Sequence, residues 1–326
     1  MIRPICGCIG AVMTAAVITA ATAQPTKNTP PPTPAPNAVP NSDRPNVDVA
    51  YGLFQRGFYL TAFSEATKRA QQNDPAAMTL LGELYAQGLG VGRDDSKAAQ
   101  WYKMAAAKGD RDAIFALAMF SFQGRAGPRN VEDAARLLEA AAKLGHPSAA
   151  YNLGLLYVQG QQFQQDFKRA TELFAIAAEA GNPEAQYALA TMYKDGRGAP
   201  KDIGKATRLM EQASVGGNVD AMVEFAIAQF NGDGTTKDEA AAARVFLKAA
   251  HLGNPVAQNR LARIRMAGRG MSADPTEAVK WHLVAKAGGN SDPELDVFAS
   301  KQSQAVRDAA DQAAKKWLST VAALRP

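Results

Sequence analysis

Apolar residues return along most of this chain at helical spacing, in paired runs divided by glycine. Between residues 146 and 181, Ala149, Leu153, Leu156 and Tyr157 fall on one side of a helical winding. Further on, Ala170, Leu173, Phe174 and Ala177 do the same. Pro147 stands at the first turn of the first run, where its missing N–H is no loss, and Gly160 stands where that run stops. Asp166 is placed to cap the second run with its side chain. The spacing predicts two helices of about 13 residues, each about 20 Å long by the α-helical rise.

The pattern comes back every 36 residues, six times, with nothing inserted between blocks: 74–109, 110–145, 146–181, 182–217, 218–253 and 254–289. Position 4 of every block is alanine, from Ala77 to Ala257, position 15 is glycine, from Gly88 to Gly268, and glycine closes each block, from Gly109 to Gly289. Asp94, Asn130, Asp202, Asp238 and Asp274 match Asp166. Position 8 is bulky (Leu81, Leu117, Leu153) and position 9 small (Gly82, Ala118, Gly154), so backbones can approach closely while larger side chains fill the remaining space. One such hairpin cannot bury its own apolar faces, and its stability must come from stacked neighbours. The fold read from this is all-α, a solenoid of six 36-residue helix hairpins.

The first block carries Ala77, Leu81, Gly82, Tyr85, Gly88 and Gly90, then Asp94, Ala98, Trp101, Tyr102, Ala105 and Gly109. That series resembles the Sel-one-like repeat (SLR) family, relatives of the tetratricopeptide repeat with a longer connecting loop. The resemblance covers about two-thirds of the chain. It implies a right-handed α-solenoid and an adaptor's role in assembly, signalling or envelope processes. Ala126 and Gln162 depart from the pattern where the second loop glycine is expected, and Arg265 replaces the inner tyrosine.

Both ends read as caps. Residues 46–73 form a shorter N-terminal helix pair with Tyr51, Phe54, Tyr59 and Phe63, and residues 290–326 form C-terminal capping helices. In the last of these, Val306, Ala310, Ala313, Trp317 and Val321 share one face. Residues 1–23 read as a signal peptide: Arg3, an apolar run from Ile5 to Ala20, then Ala21-Thr22-Ala23 ahead of Gln24. The run is shorter than the roughly 20 residues that span a bilayer, so no transmembrane segment is expected after cleavage. Residues 24–45 are a proline-rich linker without a fold of its own. The leader places the protein in a periplasm or outside the cell. Cys6 and Cys8 both lie within it, leaving no cysteine in the mature chain.

The net charge of +5 is spread out, and without a stripe of lysine and arginine no nucleic acid partner is expected. His146, His251 and His282 occupy different block positions and make no metal-ligand spacing. The Gly-x-Gly loops join helix to helix with no strand before them, so they are turns and not phosphate cradles. No catalytic residue, cofactor or metal is read. An envelope enzyme, such as a peptidoglycan hydrolase or a β-lactamase-like protein, is the rival reading without a motif, and a periplasmic regulator of an envelope sensor is the other.

The favoured reading is a scaffold that holds a protein or peptide segment on the concave face. By the resemblance, positions 6, 10 and 13 of each block line that face. They place Phe115, Met119 and Phe122 there in the second block, and Tyr151, Leu155 and Val158 in the third. Tyr187 follows in the fourth block, Ile227 and Phe230 in the fifth. Two readings stay open: the strip takes a partner, or the superhelix closes tightly enough to bury it. Arg260, Arg263, Arg265 and Arg269 make a basic end, open to an anionic partner or to solvent.

Overall fold

The computed structural model describes residues 48–161 and 163–324, so the leader, the linker, Gln162 and the last two residues lie outside it. All regular structure among the described residues is helical. α1 (Val49–Gln55) and α2 (Tyr59–Gln71) come first. Six hairpins follow: α3 (Pro75–Gln87) with α4 (Asp95–Ala106), α5 (Arg111–Gln123) with α6 (Val131–Lys143), and α7 (Pro147–Gln159) with α8 (Phe167–Glu179). Then come α9 (Pro183–Asp195) with α10 (Ile203–Val215), α11 (Val219–Asn231) with α12 (Glu239–His251), and α13 (Pro255–Ala267) with α14 (Pro275–Ala287). α15 (Pro293–Ser300) and α16 (Gln304–Leu324) end the series.

Each hairpin starts and stops where its polar residues dictate. The Asp166 carboxylate accepts from the Arg169 N–H at 2.9 Å, and Asp94, Asp202, Asp238 and Asp274 cap their helices in the same way. Asn130 does so for α6. The first helix of each hairpin is capped in turn by Asp74, Asp110, His146, Asn182, Asn218 or Asn254. At the other end of α7, Gly160 takes φ +65°, and its N–H reaches back to the Leu156 carbonyl.

The chain divides into two compact units within α6, residues 1–134 and 135–326. In the first, Ala77, Leu81, Leu84, Ala98, Tyr102 and Ala105 form a closed core that takes in Ala113 and Phe120 of the next hairpin. Gly82 lies flat beneath the Tyr102 ring, where a β-carbon would come within 2.5 Å. In the second unit Gly154 and Phe174 repeat that fit. Within this unit hairpins also lend atoms to one another. Phe225 of α11 packs into Ala190 and Met210 of the hairpin before it. The Gln186 and Gln258 amides donate to the Ala178 and Ala250 carbonyls at the ends of the preceding helices. At the C-terminal end, Ala310 and Ala314 of α16 are buried, and Trp317 meets Trp281 edge-on at 5.7 Å.

The second loop glycines have a further task. Gly198 takes φ +71° against the first turn of α8, so close that a β-carbon would sit 2.5 Å from the Phe167 carbonyl carbon. In the second block Ala126 takes φ +58° at the equivalent place, an alanine in the conformation that glycine has elsewhere.

Candidate partner-binding face

Among the first helices of the second unit, one line of side chains is half-buried and open on one side: Tyr151 on α7, Tyr187 and Thr191 on α9, and Ile227 on α11. Helical spacing puts positions 3, 7, 10 and 14 of each block on one surface, with position 6 at its edge. Tyr151 is fixed from below by Phe174, with ring centroids 5.8 Å apart. Burial first, and then the Glu184 charge, push the Tyr151 phenol up to about 12. Burial, followed by Glu224, Asp220 and Asp195, pushes Tyr187 up as well. Both hydroxyls therefore stay neutral, and neither makes a hydrogen bond among the described residues.

This surface is also the seam between successive first helices. Lys194 at position 13 of α9 donates to Glu224 at position 7 of α11 over 2.7 Å, and Arg263 at position 10 of α13 reaches Asp292 before α15. Residues expected to line an open groove therefore partly face a neighbouring helix. Leu155 and Phe230 are buried at 6% and 8% exposure and leave the predicted face. Phe230 belongs to the core of its unit, and the Arg269 guanidinium covers its ring at 4.6 Å. Val158 is half-buried. In the first unit Phe115, Met119 and Phe122 are half-buried on α5, with Arg129 over the Phe122 ring at 4.9 Å.

The basic end is mostly neutralised. Arg263 grips Asp292 through two nitrogens, at 2.6 and 2.9 Å, and Glu294 through a third at 2.8 Å. Burial opposes the Asp292 charge, but hydrogen bonds from Arg263 and Asn259 outweigh it and hold the carboxyl below its usual range. Arg269 pairs with Glu239, whose carboxyl is held down at about 2 by Arg269 and Lys237. Arg265 reaches back to the Ser272 carbonyl at 3.2 Å, and its Nε is buried without a partner. Arg260 alone of the four makes no hydrogen bond or close ion pair among the described residues.

Sequence reasoning missed these pairings, yet they leave a signal. Asp95 with Arg125, Lys194 with Glu224 and Glu239 with Arg269 are each 30 residues apart, the spacing that brings one block against the next. The three histidines stay apart from chemistry: His146 caps α7, His251 meets Trp281, and His282 is a core residue bonded to Asp296 at 2.8 Å. Among the described residues no three potential metal ligands come together, and no helix is long and apolar enough to cross a membrane.

Comparison with known proteins agrees with this architecture. A model of the protein family described as Sel1 repeat matches residues 75–110, 111–146, 147–182, 183–218, 219–254 and 255–290. That frame runs one residue later than the one read from the sequence. A crystal structure of a Sel1 repeat protein from Oxalobacter formigenes is 28% identical with a TM-score of 0.62, over 74% of this chain and 97% of that one. A second is c5321, a protective antigen of uropathogenic Escherichia coli strains with an SLR fold. It is 25% identical with a TM-score of 0.56, and the match covers 80% of this chain and 64% of that one. No curated protein matches the sequence at a significant level.

Proposed function

The chain belongs to the Sel1 repeat family, whose members are in general protein-interaction scaffolds, and we propose that it is an exported scaffold gripping a protein or peptide segment along α7, α9 and α11. Export rests on the leader, from Arg3 to Ala23. The observation that carries the binding surface is the pair of tyrosines, Tyr151 and Tyr187, each half-buried with an unused hydroxyl. A ring held by its neighbours loses little freedom when a partner covers it, and its free hydroxyl supplies direction. Ile227 extends the surface with apolar area.

The test starts from protein purified from its native host. Its first residue is expected to be Gln24; an uncleaved leader would contradict export. Partners crosslinked to the native protein are identified, and affinity is measured for Tyr151→Ala and Tyr187→Ala. Each is expected to weaken binding by about 30-fold, the scale of an interface anchor. Tyr151→Phe and Tyr187→Phe, which keep the rings, should lose less. Undiminished binding by folded alanine variants would remove this face from the account.

A further inference from the structure

The end of this face carries a cation that no carboxylate binds directly among the described residues. Arg260 lies on α13 one turn before Arg263, on the same side of the helix. It is half-buried, so part of its hydration is gone. Burial first, and then the Arg263 charge, push the guanidinium below its ordinary value. The carboxylate that counters it in part is Asp292, which is already saturated. Its Oδ2 accepts from Asn259 and from the Arg263 Nε, and its Oδ1 accepts from the Arg263 Nη2 and the backbone N–H groups of Glu294 and Leu295. Glu294, the next acid along, is bound to Arg263.

The three other arginines at this end show what the fold does with a guanidinium that it keeps for itself. Arg263 and Arg269 hold carboxylates, and Arg265 holds a carbonyl. Arg260 has five donors and, among the described residues, no acceptor. Position 7 of the preceding hairpin is Glu224, which is supplied with Lys194 as its partner. At that position the preceding hairpin is complete and the last one is not.

We infer that Arg260 receives an aspartate or glutamate side chain of the bound segment, so that the partner is acidic where it crosses α13. This rests on the binding face proposed above and adds the chemical character of its occupant at one end. A carboxylate matches the planar fork of a guanidinium and would supply the acceptor that Asp292 cannot.

The experiment uses the full chain labelled with 15N-arginine, with the Arg260 Nε–H signal assigned from Arg260→Lys. The probe is a hexaglutamate peptide, acetylated and amidated so that only side-chain carboxylates are offered, against hexaglutamine capped in the same way. The Arg260 signal is expected to move saturably with hexaglutamate and to stay with hexaglutamine. Arg260→Gln should weaken hexaglutamate binding about 10-fold, the scale of one charge-assisted hydrogen bond. Arg260→Lys, which keeps the charge but not the fork, should fall between. A signal that does not move, or that moves equally with both peptides, overturns the assignment, as does unchanged affinity in Arg260→Gln. A native partner that is lost by Tyr187→Ala yet bound at full strength by Arg260→Gln would overturn the acidic contact and leave the scaffold reading in place.

Discussion

Replacing Trp281 by alanine is expected to destabilise the second unit by about 3–5 kcal/mol, the range for removing a buried large aromatic ring. Trp281 is 1% exposed and ties its own helix, α14, to α12 and α16. Its ring meets His251 at the end of α12 edge-on at 5.2 Å and Trp317 of α16 at 5.7 Å. Its indole N–H donates to Glu277 over 2.9 Å. Alanine leaves a cavity with helices on several sides and frees the inner surface of the final helix. The measurement is urea unfolding followed by Trp317 fluorescence in a Trp101→Phe background. A midpoint within error of the parent would mean that α16 does not depend on this contact.

The second large effect is expected from the smallest addition, Gly198→Ala. The left-handed backbone at φ +71° costs an alanine on the order of 1 kcal/mol. Ala126, at φ +58° in the second block, shows that the chain tolerates that part. The larger part is contact: the new methyl would press on the Phe167 carbonyl and on the Thr171 hydroxyl one turn further along α8. Thr171 already donates there, to the Phe167 carbonyl at 2.8 Å, and cannot turn away freely. Overpacking adds roughly 1–3 kcal/mol, so the sum is about 3 kcal/mol. Gly92→Ala is the control, since nothing lies within 4 Å of its site, and it should change stability by no more than about 0.5 kcal/mol. Equal effects of the two substitutions would refute the loop's close approach to α8.

Much of the fold was legible because each hairpin repeats the same solution. An alanine held at position 4 six times has one physical meaning, a backbone that must come close to another, and Ala77, Ala113, Ala149, Ala185, Ala221 and Ala257 are 0–1% exposed. Caps such as Asp166 were readable because they act within three residues of their own helix. The candidate face was harder to read. Positions 10 and 13 point toward open space and toward the neighbouring first helix at once. At position 10 Thr191 and Ile227 stay half-open while Leu155 is buried, and Phe230 is buried at position 13. Single-block periodicity cannot separate these cases, because the covering atoms belong to another block. The arginines carry the same lesson: Arg263 and Arg269 find their carboxylates 29 and 30 residues away, beyond the reach of any local pattern.

Within each unit a hairpin is held by side chains of its neighbours. Phe225 puts this dependence within reach of experiment, because it lies on α11 but fills the space beside Ala190 and Met210 of the hairpin before it. Phe225→Leu is mild enough to keep the array folded, at a cost of about 1 kcal/mol. The measurement is amide hydrogen exchange of this variant against the parent, resolved by helix. Exchange is predicted to speed up in α9 and α10 by about the same factor as in α11, roughly five-fold for that free energy. Acceleration confined to α11 and α12, with α9 and α10 protected as before, would contradict the claim.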